Sequence, residues 1–131
     1  MTKEEHIKYW TDSAQNDLDA SENLMNSKNY DWALFVGHLC IEKLIKAIYV
    51  QNNDNQVPPK IHNLSRLLEL SLVQSNEDLY FKLLEINKFN IEARYPKYKQ
   101  EFYKLCTLEY ASENHNKIRE VYNWLRQQLK Y

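Results

Sequence analysis

The segment HLCIEKLIKAIYV, residues 38–50, places one histidine, one acidic and two basic side chains inside an apolar sequence. His38, Glu42 and Lys46 recur every four residues, so in a helix they form one polar stripe, and Lys43 lies beside it. Most other positions are apolar, which is typical of a helix at the centre of a bundle. Charged groups are costly there unless they are paired or open to solvent. We therefore expect the stripe to face a groove, a subunit interface or the outer edge of the protein.

Two interpretations fit this polar stripe. In the simpler one, Glu42 and Lys46 form an i,i+4 ion pair that contributes roughly 0.2–0.5 kcal/mol. The aliphatic part of Lys43 then packs along the helix while its ammonium group reaches water. In the second interpretation, the stripe lines a polar groove that binds a ligand or a second subunit. The spacing alone is compatible with both.

The segment ARYPKYKQEFYK, residues 93–104, alternates basic and aromatic side chains and contains a single acidic residue, Glu101. Its basic residues are Arg94, Lys97, Lys99 and Lys104, and its rings are those of Tyr95, Tyr98, Phe102 and Tyr103. Basic side chains contact phosphates and aromatic rings stack on bases, so the segment is a candidate nucleic-acid patch. The alternative is a solvated loop whose rings pack back on the protein. Arg94 also suits the negatively polarised end of a helix.

Composition limits the fold and the charge-driven contacts. The chain has 131 residues, one glycine and three prolines, too few turn residues for a β-sandwich or barrel. We therefore expect a single all-α domain over residues 1–131. Lys and Arg total 17 against 18 Asp and Glu, so a contact with nucleic acid must be local.

The cysteines and the N-terminal segment predict that the protein is located in the cytoplasm. Cys40 and Cys106 each lie alone in an apolar pattern, which favours buried thiols over a disulfide or a metal cluster. The N-terminal segment MTKEEHIKYW lacks the apolar core of a signal peptide. No segment approaches the ~18 uninterrupted apolar residues of a membrane span. We expect a cytoplasmic protein without a membrane contact.

Neither a metal nor a cofactor is expected. The four histidines lie far apart, and no two share a helix at the spacing of metal ligands. They are His6, His38, His62 and His115. A glycine-rich phosphate loop is excluded because the only glycine, Gly37, lies inside a predicted helix.

Helical periodicity predicts an antiparallel up-and-down bundle of about five helices. They begin near Thr2, Tyr30, Leu64, Ser75 and Leu108. The fourth should end by Arg94, because Pro96 disfavours a helical conformation at Tyr95. The last has an unbroken 3,4 spacing of inward positions, of which only His115 is polar. We expect His115 to be a hydrogen-bonded core residue.

The segments GHLCIEKLIKA, IHNL and IEARYP together resemble the HEPN domain, a small helical domain linked to nucleotide binding. The positions that match are Asp17, Leu18, Ala20, Tyr30, Ala33, His38, Glu42, Lys43, Lys46, Ala47, His62, Leu64 and residues 93–96. They cover nearly the whole chain in order, although Leu39 replaces a glutamine common in the family. The resemblance implies one ligand-binding groove formed by His38, Glu42, Lys43, Lys46, His62, Arg94 and Tyr95.

Many HEPN proteins cleave RNA with an arginine followed, four to six residues later, by a histidine on a late helix. This spacing is absent here, since Arg94 precedes no histidine until His115. The order is instead reversed in His62-x-x-x-Arg66 and in the equivalent pair that begins at His115. We therefore predict no catalytic residues from this motif, and we expect His62 to brace the loop that enters the third helix.

The resemblance implies a homodimeric domain that binds a nucleotide or RNA without cleaving it. It also implies a minimal nucleotidyltransferase as partner in a toxin–antitoxin-like module. One alternative is a metal-independent endoribonuclease with an unusual pair such as Arg94 and His115. Another is a structural dimerisation module whose polar stripe only pairs subunits.

Overall fold

The computed structural model describes residues 1–130, with Pro96 described by its backbone alone. These residues form six helices and no strand. The helices are α1 (Lys3–Asn26), α2 (Tyr30–Asn52), α3 (Leu64–Leu70), α4 (Glu77–Arg94), α5 (Pro96–Leu105) and α6 (Leu108–Arg126). The prediction of an all-α bundle is confirmed.

Helix α5 is the one helix that the sequence did not predict. As expected, α4 ends at Arg94, and Tyr95 is extended with φ −91° and ψ 127°. Pro96 then occupies the first position of α5, where its ring pre-sets the helical φ and its missing N–H is not needed. The same proline therefore ends one helix and begins the next, and the segment treated as a patch or a loop is helical.

Polar residues cap most of the other helices at their N-terminal ends. Thr2 and Glu5 form the reciprocal capping box of α1. The side chains of Asn63, Asn76 and Thr107 each accept a hydrogen bond from the first turn of α3, α4 and α6. These caps satisfy backbone donors that have no partner within the helix.

Helix α2 is the centre of the bundle and packs against α1, α6, α4 and α3. Its apolar residues are buried on most sides, as the sequence predicted. Gly37 lies where α2 approaches α6, and a Cβ at this position would come within 2.5 Å of Cδ1 of Ile118. The single glycine thus permits a close approach of the two helices.

His115 is a core histidine, as predicted. Its imidazole is buried, and Nε2 lies 2.9 Å from Oγ of Ser21. Because the Ser21 hydroxyl donates to the carbonyl oxygen of Ala33 at 2.6 Å, it accepts the hydrogen on Nε2. Burial lowers the pKa of His115, which keeps the ring neutral at the junction of α1, α2 and α6.

Candidate functional site

Glu42 is a buried carboxylate in the middle of α2, with 5% of its surface exposed. Its Oε1 accepts a hydrogen bond from Nδ1 of His62 at 3.0 Å, and its Oε2 accepts one from Nζ of Lys46 at 3.3 Å. His62 belongs to the loop between α2 and α3. The carboxylate therefore ties this loop to the central helix, and His62 braces the entry to α3 as the sequence predicted.

The arrangement of His62 has a chemical consequence. Nδ1 of His62 carries the hydrogen that it donates to Glu42 in this hydrogen bond. The other nitrogen of the neutral ring, Nε2, is then unprotonated and can accept a proton or a hydrogen bond. No described residue bonds to Nε2, and the side chain is 57% exposed. A buried carboxylate thus orients an imidazole that solvent and ligands can reach.

Lys46 combines an ion pair with an aromatic contact. Only 13% of its side chain is exposed, and its ammonium lies 5.1 Å from the centroid of the Trp10 ring. The i,i+4 pair with Glu42 that the spacing predicted is present. Because both partners are largely buried and His62 joins them, the pair is more constrained than an ordinary surface ion pair.

His38 lies one turn before Glu42 and is fully buried. Neither ring nitrogen has a hydrogen-bond partner among the described residues, and the ring stacks on Phe35 with centroids 6.5 Å apart. Burial lowers the pKa of His38 to about 4, and the charges of Arg94 and His62 lower it further. Glu42 partly opposes this, as does a polar contact with the His62 backbone that is too poorly aligned to form a regular hydrogen bond. The neutral ring holds one donor and one acceptor, and a polar atom that is buried without a well-formed hydrogen bond costs roughly 1–3 kcal/mol.

Two cations from the α4–α5 corner lie over aromatic rings of α2. The Arg94 guanidinium is 5.2 Å from the centroid of Phe35, and the Lys99 ammonium is 5.3 Å from the centroid of Trp32. The two rings pack edge to face at 5.9 Å. In residues 1–130 no carboxylate lies within 4 Å of either cation. Their positive charges are therefore available to an anion.

The structure divides the predicted nucleic-acid patch along α5. Lys97 lies over the ring of Tyr98 at 5.5 Å, whereas Lys104 lies at the other end of the helix, beside a cavity of about 300 Å³. Phe102 points inward, with 2% of its surface exposed. Tyr95 is exposed at the corner itself. Among the lysines of α5, Lys99 is thus the one that lies over a ring of α2.

Lys43 does not join the Glu42 cluster. Its ammonium lies 2.8 Å from Oδ2 of Asp17, so it links α2 to α1. Among the predicted groove residues, the structure brings together Glu42, Lys46 and His62 by direct bonds. It connects His38 to Arg94 through the ring of Phe35, which the sequence had not singled out as a site residue.

The HEPN domain profile matches residues 7–128. The chain belongs to the HEPN domain family. Two solved structures share its fold: ST0689, an archaeal HEPN homologue, with 24% identity and a TM-score of 0.76, and TT1696 from Thermus thermophilus, with 21% identity and a TM-score of 0.80. Each alignment covers 95% of this chain and 98% of the other. No curated protein matches the chain.

This HEPN domain lacks an accessible histidine where the ribonuclease alternative placed one. His115 is buried and bonded to Ser21 inside the bundle, so it is not available to a substrate. Residues 1–130 contain no group of three His, Cys, Asp or Glu side chains that could hold a metal ion. Cys40 and Cys106 are buried free thiols. In the same residues no helix is both long enough and apolar enough to cross a bilayer.

Proposed function

We propose that this HEPN domain binds a nucleotide or RNA where the first half of α2 meets the α4–α5 corner, and that it does not cleave it. One observation carries the proposal. Arg94 and Lys99 lie over the adjoining rings of Phe35 and Trp32 and pair with no described carboxylate. This arrangement matches the two parts of a nucleotide, since the cations attract phosphate and the exposed ring of Trp32 can stack on a base.

The buried polar residues His38 and Glu42 also favour a ligand that carries hydrogen-bonding atoms. The buried ring of His38 makes no well-formed hydrogen bond with a described residue, and it lies between Glu42 and the ring of Phe35. Unpaired polar atoms that a folded protein retains are found most often at functional sites. Glu42 restrains His62, which adds an oriented and exposed imidazole.

Calorimetric titration with ATP, GTP and a short RNA tests the proposal. We expect Arg94→Ala and Lys99→Ala to weaken binding roughly tenfold to hundredfold, since hydrogen bonds to charged groups contribute about 1.5–3 kcal/mol. Arg126→Ala is the matched control, because Arg126 is also an exposed arginine in the last turn of a helix. Absence of binding to all three ligands would refute the proposal.

The proposal also extends to partners. We infer a cytoplasmic homodimer that works beside a minimal nucleotidyltransferase in a toxin–antitoxin-like module. Membership of the HEPN family supports this inference. Sequencing of the genomic neighbourhood tests the inferred partner. We expect an adjacent reading frame that encodes a nucleotidyltransferase, and its absence would contradict the inference.

A second candidate function is a metal-independent endoribonuclease centred on His62. It is favoured by the bond from Nδ1 of His62 to the buried Glu42, which leaves Nε2 as a proton acceptor for a ribose 2′-OH, while Arg94 would neutralise charge on the phosphate. Incubation of RNA in the presence of a chelator tests it. Cleavage by the wild type that is lost in His62→Ala but retained in His6→Ala would establish this function over simple binding.

A further inference from the structure

Helix α4 has apolar residues on two opposite sides. One side packs into the core through Leu79, Leu83, Ile86, Phe89 and Ala93. The other side is exposed and still apolar: Phe81 is 53% exposed, Leu84 38% and Ile91 45%. A helix that packs on one side only needs polar residues on the other. The outer side of α4 is therefore suited to a second packing partner.

The outer residues follow the spacing of a coiled-coil seam. Phe81, Leu84, Lys88, Ile91 and Tyr95 are separated by three, four, three and four residues. This 3,4 spacing produces a stripe that a second helix covers by knobs-into-holes packing. These five residues form what we call the outer seam.

We propose that the outer seam is a homodimer interface in which two copies of α4 pack antiparallel about a twofold axis. In an antiparallel pair, alternate seam positions face each other across the axis. One register satisfies the whole seam, because it places Phe81 against Ile91 of the second copy and Leu84 against the stem of Lys88. At the end of the seam, Tyr95 then faces Glu77 of the second copy, which lies outside the seam. The hydroxyl of Tyr95 can donate to the carboxylate of Glu77.

A cleft and a lone charge fit the same register. The cleft has a volume of about 150 Å³ and is lined by Lys88, Ile91, Glu92 and Tyr98. It lies where the register seats Phe81 of the second copy. Lys88 has no ion-pair partner among the described residues. The register brings its ammonium beside Glu85 of the second copy, whose Oε2 pairs with Lys117 of its own chain and whose other carboxylate oxygen can accept from Lys88. The positive charge of Lys88, which interrupts the apolar seam, would then face a carboxylate in both symmetry-related halves of the dimer.

The dimer would also bear on the proposed ligand site. Arg94 flanks the seam at the end of α4, and the register places Tyr80 of the second copy next to it. Dimerisation would then add one aromatic ring to each pair of cations. The inference depends on the homodimer suggested under the proposed function, but it does not depend on ligand binding.

Sedimentation velocity without ligand tests the interface. One helix about 27 Å long forms a modest contact, so we expect a dimer with a dissociation constant in the micromolar range. Leu84→Asp should raise this constant tenfold or more, as substitution of a buried interface anchor does. Leu108→Asp, an identical change at an exposed leucine outside the seam, should leave it within about twofold.

Disulfide trapping tests the register. Mild oxidation should link two chains of the Phe81→Cys, Ile91→Cys double variant, because these positions face each other. The Phe81→Cys, Leu84→Cys variant has the same number of added thiols, but neither faces the other across the axis, and it should stay unlinked. Circular dichroism verifies that each variant remains helical.

The results of these experiments distinguish failure of the outer seam from failure of the homodimer and of the ligand site. A wild type that stays monomeric at millimolar concentration overturns both the homodimer and the outer seam. A wild-type dimer that Leu84→Asp leaves intact overturns the seam alone. Equal linking of the two cysteine variants overturns the register. Nucleotide titration of the monomeric Leu84→Asp variant reports on the ligand site independently.

Discussion

Glu42 and His62, twenty residues apart, form the bond that organises the polar stripe. The carboxylate Oε1 accepts the Nδ1 hydrogen at 3.0 Å, and the remaining oxygen accepts from Lys46. The bond attaches the loop before α3 to the centre of the bundle. It also leaves an oriented imidazole on the surface.

The first prediction concerns the stability that this bond contributes. Glu42→Gln removes the charge from a buried carboxylate while Lys46 remains mostly buried. We expect the free energy of unfolding to fall by about 1–3 kcal/mol, because a buried charge loses its partner. Urea denaturation measures the change. Glu69→Gln, which alters an exposed carboxylate paired with Arg66, should cost less than about 0.5 kcal/mol.

The second prediction concerns acid stability and His38. Burial lowers the pKa of His38 from 6.5 to about 4, so between these values the unfolded chain binds more protons than the folded one. Stability from the neutral ring is therefore complete above pH 6.5 and is lost as the pH falls towards 4. The loss should reach up to about 3 kcal/mol.

Proton NMR and denaturation measure this titration. The imidazole signal of His38 should stay at its neutral position down to about pH 4.5 while the protein is folded. His38→Gln should make the decline of stability between pH 7 and pH 4.5 less steep. A signal that titrates near the ordinary value of 6.5 would show that the ring is solvated.

The third prediction concerns the histidine in the core. Ser21→Ala removes the hydroxyl that accepts from Nε2 of His115 and that donates to the carbonyl of Ala33. The buried Nε2–H of His115 loses its partner, while the carbonyl of Ala33 keeps its bond within α2, and we expect a loss of about 1–3 kcal/mol. Thermal unfolding measures it. The same substitution at the exposed Ser27 should change stability by less than about 0.5 kcal/mol.

The fourth prediction concerns the electrostatic part of ligand binding. If Arg94 contacts phosphate, Arg94→Ala should reduce the steepness with which RNA affinity falls with salt, by about 0.7 in the log–log slope for a single strand. Fluorescence anisotropy at several salt concentrations measures the slope. Arg126→Ala should leave it unchanged, and an unchanged slope in Arg94→Ala would remove this residue from the phosphate contacts.

The sequence was most informative where a pattern is local. The capping box at Thr2, the end of α4 at Arg94 and the core position of His115 follow from spacing within a few residues. Helix α5 does not follow from the local pattern, because Pro96 both ends α4 and begins the next helix. The sequence predicts one continuous nucleic-acid patch, whereas the helix directs Lys99 and Lys104 to different neighbours.

By itself the sequence determined the all-α fold, the HEPN family and the polar stripe of α2, since each depends on residue types at fixed intervals along the chain. Only the tertiary structure decided which partner each charge takes. Lys43 turns to Asp17 of α1, Glu42 binds His62, and Arg94 lies over Phe35. These choices depend on how the helices pack, because periodicity specifies the side of a helix that a side chain occupies but not the element that meets it there.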